Sequence, residues 1–465
     1  MKLLKRLSFF ALVTVFLWGC SQNDKGGLNA NLPPETDVFI STKDTLNQTA
    51  SIQKISWDGR DPDGVVIGFY YTWEENPAPA DWEFTKDRTK TFPLEILGND
   101  TTYVFQIKAV DDDGAEDPSP AVQRFPIKNT APTINWTVVS RIPDTTFTVA
   151  TFIWTASDID GDNTIDRFEY ALDGDSANWK TLPGYQRSLT LNEQDGLTPG
   201  DHSFSIRAID IAGAKSPTIR MPQNPAKLWH VKAPKGRYLL IDDFQVESSV
   251  SGSPDAYYKK MMNNVVVPMG ENFSYWNIED LFPASTEQFK ETISLFDRVI
   301  WYTDISQEAD EHFIAAQVAI PAFLNNGGKI IYTTMFTESF GTQGDPLAFS
   351  PVKSLEGDYR CFPGNQFLPQ TDFNTIFPDL PALPDLKVSK FFAGVKSLVP
   401  KAGAVPLYRF DDPSSPPVDP LFVILGRNDN TGQYDFVFSA TPLHQLNGNN
   451  NLDDFFDVIL NDVFK

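Results

Sequence analysis

Two stretches of the chain alternate apolar and polar residues with period two: Tyr103-Val104-Phe105-Gln106-Ile107-Lys108-Ala109 and His202-Ser203-Phe204-Ser205-Ile206-Arg207-Ala208. That period marks a strand with one face on a core and one face in water. Each stretch closes a longer repeat. The first copy carries Ile55-Ser56-Trp57, Asp61-Pro62-Asp63-Gly64 and Tyr70-Tyr71. The second carries Phe152-Ile153-Trp154, Asp158-Ile159-Asp160-Gly161 and Tyr170. Both then reach an Asp (Asp111 or Asp210), a Gly (Gly114 or Gly213) and a Ser-Pro pair (Ser119-Pro120 or Ser216-Pro217). The offset is 97 residues from Trp57 to Trp154 and 99 from Asp111 to Asp210. A repeat of this length, with frequent turn residues, predicts one β-sandwich per copy, over residues 36–128 and 130–228.

The texture changes after a Pro-rich joint at Pro222, Pro225 and Pro234. Apolar strands now lack alternation and are separated by helical stretches. Strands are expected at 237–242, 273–278, 297–302 and 329–334. Helices are expected at 255–265, 286–295 and 309–324, the last closed by Gly327-Gly328. Such strands suit a parallel sheet covered on both faces, so residues 236–465 predict an α/β doubly wound domain. Residues 340–420 are rich in Pro, Asp and Phe without clear periodicity and read as a long insertion or lid. Strand texture returns at 421–426 and 434–440, and residues 452–464 predict a closing amphipathic helix.

The amino-terminal residues have a third pattern. Lys2, Lys5 and Arg6 precede an apolar stretch from Leu7 to Trp18, followed by Gly19-Cys20. The stretch is shorter than the roughly 20 residues a spanning helix needs. It reads as a secretory signal over 1–19, followed by a flexible tether over 20–35. The run Leu17-Trp18-Gly19-Cys20 resembles the lipobox of bacterial lipoprotein precursors. That resemblance implies acylation of Cys20, which holds a protein to a bilayer through two or three chains. Ser21, in place of an Asp, favours the outer membrane in enterobacterial-type sorting.

The tandem repeat resembles the fibronectin type III and related immunoglobulin-like modules of bacterial envelope proteins, carried by the early Trp and the late Tyr-x-Phe-x-Ile-x-Ala-x-Asp strand. Modules of that kind act mostly as spacers or adhesion units. The third region resembles class I glutamine amidotransferase-like domains over roughly 236–340 and 420–465. Their nucleophilic Cys follows the strand that here ends at Thr334. This chain has Met335-Phe336-Thr337-Glu338 there, no Gly-x-Ser-x-Gly elbow, and a Ser339 without flanking glycines. The resemblance therefore implies the architecture without the nucleophile.

In an open α/β sheet, ligands bind at the carboxyl ends of the strands. Asp242, Asp243, Asp304, Glu338 and His444 are the candidates there. They read either as a ligand pocket or as solvated helix caps. Asp158, Asp160 and Asp162 have the alternate oxygen spacing of a calcium loop, although Asp-x-Asp-Gly between strands is also a common turn. No other cofactor is expected: no HExxH is present, and Asp242-Asp243-Phe244-Gln245 stands where a dinucleotide site has its Gly-rich turn. Trp73, Trp82 and Trp179 read as glycan-stacking surfaces or as edge cover.

The formal net charge of −23 repels phosphate backbones, so nucleic acid is not an expected partner. The chain has two cysteines, Cys20 and Cys361. With Cys20 acylated, no disulfide framework is expected. The combined expectation is a lipid-anchored protein of the bacterial cell envelope. Its sandwich stalk would present a non-catalytic α/β domain to a polysaccharide or protein partner. The competing expectation is an extracellular hydrolase using carboxylates at the strand ends.

Overall fold

The computed structural model describes residues 30–40, 52–94, 101–174, 178–244, 254–279, 281–340, 344–411 and 420–465. Cys20, the signal and most of the tether lie outside these residues. The chain forms two compact units. One comprises 1–133 with 157–167 and 208–216; the other comprises 134–156, 168–207 and 217–465.

In the first unit, seven strands make two antiparallel sheets. They are β1 (Glu35–Ile40), β2 (Ile52–Arg60), β3 (Val66–Thr72), β4 (Glu83–Thr85), β5 (Thr89–Pro93), β6 (Thr101–Asp111) and β7 (Ala121–Ile127). The sheet orders are β1-β2-β5 and β4-β3-β6-β7. Trp57 sits in the core between them, its ring 5.8 Å from Phe105 and stacked on Tyr71. The alternation read at 103–109 puts Phe105, Ile107 and Ala109 in that core.

The second repeat builds β8 (Thr133–Trp136), β9 (Thr145–Thr146), β10 (Ala150–Ser157), β11 (Ile165–Leu172), β12 (Lys180–Pro183), β13 (Ser188–Leu191), β14 (Gly200–His202), β15 (Phe204–Asp210), β16 (Ile219–Met221) and β17 (Trp229–Val231). Its sheets are β13-β10-β8, β12-β11-β15-β16 and β14-β17-β9. Tandem β-sandwich modules are thus present, as the repeat predicts. The copies match in detail: Trp57 N donates to Arg88 O and Trp154 N to Arg187 O, both at 3.0 Å.

The carboxyl-terminal body continues with β18 (Tyr238–Asp243), α1 (Pro254–Val265), β19 (Phe273–Asn277), α2 (Thr286–Ile293), β20 (Arg298–Ile305), α3 (Glu311–Asn325) and β21 (Lys329–Met335). After it come β22 (Val352–Cys361), β23 (Gln366–Pro369), α4 (Thr371–Ile376), β24 (Leu386–Lys387), β25 (Phe392–Pro400), β26 (Val405–Phe410), β27 (Leu421–Arg427), β28 (Tyr434–Ser439) and α5 (Leu452–Asp457). A nine-stranded sheet runs β19-β18-β20-β21-β28-β27-β26-β23-β24. Its first five members are parallel and the rest antiparallel. Strands β18, β20 and β21 are almost wholly buried, which is why their sequences show no alternation. Helices α2 and α3 lie against each other, and so do α1 and α5.

Residues 340–420 are not an irregular lid. They contribute β23, β24 and β26 to the large sheet, while β22 and β25 form a separate two-stranded antiparallel sheet. Register shifts in β22 and β26 break the two-residue period that would have revealed them. The closing helix also differs: its regular part ends at Asp457 and a wider π turn covers Val458–Val463. The second sandwich is fused to this body within its unit. Phe147 packs on Trp276 and Phe296, and Thr151 N donates to Gln288 Oε1 at 3.2 Å.

Candidate functional site

Strand β18 ends in two acids, and a strand sends successive side chains to opposite faces. Asp242 and Asp243 therefore go to different places. Asp242 is 3% exposed, and its Oδ2 accepts the Tyr275 hydroxyl at 2.5 Å. Tyr258 on α1 and Tyr302 on β20 stack at 4.0 Å, and both feel the Asp242 charge. His444 lies edge-on to Tyr258 at 5.9 Å and to Phe244 at 5.6 Å. Among the described residues His444 Nε2 is buried without a hydrogen-bond partner, while the Tyr302 hydroxyl interacts with Asp242 and the Tyr258 hydroxyl with the His444 backbone. Buried polar groups usually have a partner, so His444 marks a place built for more than packing.

The electrostatics are those of a dry site. Burial raises Asp242 above the ordinary carboxylate range, against the lowering effect of the tyrosine hydroxyls. Burial, with the Lys390 charge, pushes His444 down to about 4, so its imidazole is neutral at neutral pH. The site combines a carboxylate, a neutral imidazole and phenol donors, a set suited to hydroxyl-bearing ligands. At its rim Lys259 stands 3.7 Å over the Tyr275 ring and pairs with Asp255 at 2.7 Å.

Asp243 turns to the other face. Its Oδ1 meets His312 Nδ1 at 2.5 Å, its Oδ2 accepts Trp301 Nε1 at 3.0 Å, and His312 stacks on Phe282 at 4.3 Å. Burial raises Asp243 to about 6 despite His312 and Trp301. Burial pulls His312 down, but the Asp243 carboxylate outweighs it and the imidazole ends above its usual value. This reads as a buried brace between β18 and α3.

Of the other candidates, Asp304 is buried at the bulge in β20, and Glu338 is exposed beyond β21. The structure gathers Asp242 and His444 around Tyr258 and leaves Asp243 apart. Tyr258, Tyr275, Tyr302 and His312 went unnoticed in the sequence; the Tyr at the end of two apolar strands was the available signal. Where a nucleophile would follow β21, Phe336 is buried against Phe313, Phe340 and Phe438.

Asp158, Asp160 and Asp162 lie in the first unit. Asp162 Oδ1 accepts Asp158 N, Asp158 Oδ1 accepts Asp160 N, and Asp160 Oδ2 accepts Thr130 N at 2.7 Å. Asp210 Oδ2 accepts Asn129 Nδ2 at 2.7 Å. The first repeat does the same: Asp63 accepts Leu32 N and Asp111 accepts Asn31 Nδ2. The repeated acids thus strap the segment leading into each module. Among the described residues no group of three or more His, Cys, Asp or Glu is placed to hold a metal ion. Trp73 packs on Phe92, Phe105 and Phe125, while Trp82 and Trp179 lie half-buried under Lys108 and Arg207 at 4.3 Å. These three rings serve as cover.

No family model matches the chain, and no curated protein matches it. Solved structures do. The fibronectin(III)-like modules of Clostridium thermocellum CbhA are 18% identical over 42% of this chain and 95% of theirs, with a TM-score of 0.18. A two-domain fibronectin type III segment of chicken tenascin is 16% identical over 40% of this chain and 96% of its own, TM-score 0.23. The PKD1 domain of the Vibrio cholerae metalloprotease PrtV is 11% identical over 21% and 99%, TM-score 0.16. With scores this low, the sandwich assignment rests on the strand pairing above.

Proposed function

We propose that this chain is a lipid-anchored protein of the bacterial cell envelope, most simply of the outer membrane. Its sandwiches serve as a stalk, and its carboxyl-terminal body, of the doubly wound, amidotransferase-like kind, binds a polysaccharide or envelope protein without turning it over. The observation that carries the binding reading is the filling of the nucleophile position by the aromatic packing of Phe336, beside an intact carboxyl-end site around Asp242. The parallel strand order β19-β18-β20-β21-β28, with helices paired α2 to α3 and α1 to α5, supports the architecture. The hydrolase alternative, using carboxylates at the strand ends, keeps Asp242 at this site but not Asp243. No helix among the described residues is long and apolar enough to cross a membrane. The anchor in this reading is Cys20, on the lipobox-like run Leu17-Trp18-Gly19-Cys20.

The test has two parts. Cys20→Ala should move the protein from the membrane fraction to the soluble fraction. Full-length protein should capture envelope polysaccharide or protein, and Asp242→Asn should weaken capture at least tenfold with the fold intact by circular dichroism. Turnover of an envelope glycan or peptide, abolished by Asp242→Asn, would refute the non-catalytic reading.

A further inference from the structure

Among its described residues the carboxyl-terminal body exposes one aromatic pair. Phe362, just past β22, is 53% exposed, and Phe391, just before β25, is 54% exposed. Their ring centroids lie 5.1 Å apart with 43° between the planes. Cys361 faces Phe392 across the β22–β25 register, so the two phenylalanines leave the same end of that sheet side by side.

The chain that carries them is pinned. Phe362 N donates to Asn365 Oδ1 at 2.7 Å, while Gly364 N donates to Val388 O and Val388 N to Asn365 O, both at 2.9 Å. Ser389 N and Oγ donate to Gln445 O at 2.7 and 2.8 Å. The rings are thus held in place while half their surface stays in water, and a preset apolar surface of this kind marks a contact. It also continues the site around Asp242. Gln445 follows His444, and Lys390, next to Phe391, is near enough for its charge to act on His444.

The size of the patch limits its occupant. A Phe side chain covers roughly 200 Å², so half of two leaves on the order of 200 Å². A stable protein interface needs about 800 Å² on each side, so neither a second copy nor another folded protein is held by so little. The net charge of −23 opposes approach to an anionic bilayer. A pyranose ring is matched to one or two phenyl rings in size. Its C–H face stacks on an aromatic face while its hydroxyls stay in water.

We propose that Phe362 and Phe391 are a stacking platform for one sugar ring of a polysaccharide chain whose neighbouring units reach the site around Asp242. The inference rests on the binding reading above and selects its polysaccharide branch. Stacking asks for a planar ring face, which separates it from apolar docking in general.

Full-length protein is run in native gels containing dextran, laminarin, mannan, xylan or hydroxyethyl cellulose. At least one of these polymers should retard it. Phe391→Leu keeps an apolar side chain without the planar face, and should weaken retardation about fivefold or more, as should Phe362→Ala. Phe391→Tyr keeps the face and should stay within about twofold of the unmutated protein. Both positions are exposed, so all three variants should fold, as near-ultraviolet circular dichroism will report. No retardation by any polymer, or retardation unchanged in Phe391→Leu and Phe362→Ala, overturns the proposal. So does binding to phosphatidylethanolamine–phosphatidylglycerol vesicles, or a dimer in sedimentation, that Phe362→Ala abolishes. Retardation that survives Asp242→Asn but not Phe391→Leu upholds the platform and refutes the role given to Asp242. The reverse result refutes the platform and leaves the binding reading standing.

Discussion

The repeat supplies its own control for the value of one buried hydrogen bond. Trp57 and Trp154 occupy the same place in the two modules, and both are buried. The Trp57 indole Nε1 donates to Asp87 O at 2.8 Å. The Trp154 Nε1 has no hydrogen-bond partner among the described residues. Replacing either with Phe removes a similar ring volume, at a cost of roughly 2 kcal/mol. Trp57→Phe also forfeits a hydrogen bond worth about 1 kcal/mol, giving about 3 kcal/mol in total. Trp154→Phe removes a buried donor already unsatisfied, relieving about 1–3 kcal/mol and bringing the net change to within about 1 kcal/mol of zero. The chain has more than one cooperative unit, so a single global unfolding energy is not the right observable. Hydrogen exchange by mass spectrometry, read on β3 and β6 for one variant and β11 and β15 for the other, gives local opening energies. A loss in Trp154→Phe equal to that in Trp57→Phe would refute the reasoning.

Other expectations follow from the same geometry. Asp243 and Asp435 are raised to about 6, so each costs stability as pH rises from its unfolded value of about 4 through 6. His312 is raised, so its contribution is complete below its unfolded value of about 6.5 and lost as pH climbs through the elevated one. These three act in one direction, lowering the melting temperature of the carboxyl-terminal body as pH rises from about 4 past 6.5, while His444, held down at about 4, works the other way between about 4 and 6.5. Asp435→Asn removes one of the falling contributions, so its melting temperature relative to the unmutated protein should rise with pH over the window, and a difference that stays constant would contradict the assignment. Gly236 has φ of +70°, and a Cβ there would lie 2.1 Å from Asn272 O. Gly236→Ala should therefore destabilise the body by at least about 2 kcal/mol in calorimetry. Replacing Arg298, whose guanidinium donates to Phe464 O, with Met should speed exchange at the last turn while sparing both sandwiches.

The sandwiches were legible because half-buried strands must alternate, and because Trp57 and Trp154 anchor copies of nearly equal length. The parallel strands were legible for the opposite reason: covered on both faces, Leu239-Leu240-Ile241 and Val299-Ile300-Trp301 have no polar side to show. The excursion after β21 was opaque because bulges in β22 and β26 reset the period every few residues. In the site, Asp242 and His444 were readable as residue types at strand ends. The split between Asp242 and Asp243 was also readable, since neighbours on a strand cannot share a face. The tyrosines were not, because Tyr258 and Tyr302 meet only through the crossover of α1 over the sheet. The acids of the repeat spoke of turns and calcium alike, and only their partners Asn31, Leu32, Asn129 and Thr130 reveal the strapping role.

The fifth parallel strand, β28, pairs with β21, about a hundred residues earlier in the chain. Until Ile330 to Thr333 meet Phe436 to Ser439, β21 presents an unpaired edge bearing Ile330, Ile331 and Tyr332 to its surroundings. A premature stop anywhere before Tyr434 would leave that edge permanently open, however well the earlier modules had folded. Such a truncated product should clump or be degraded rather than persist as a shorter working protein.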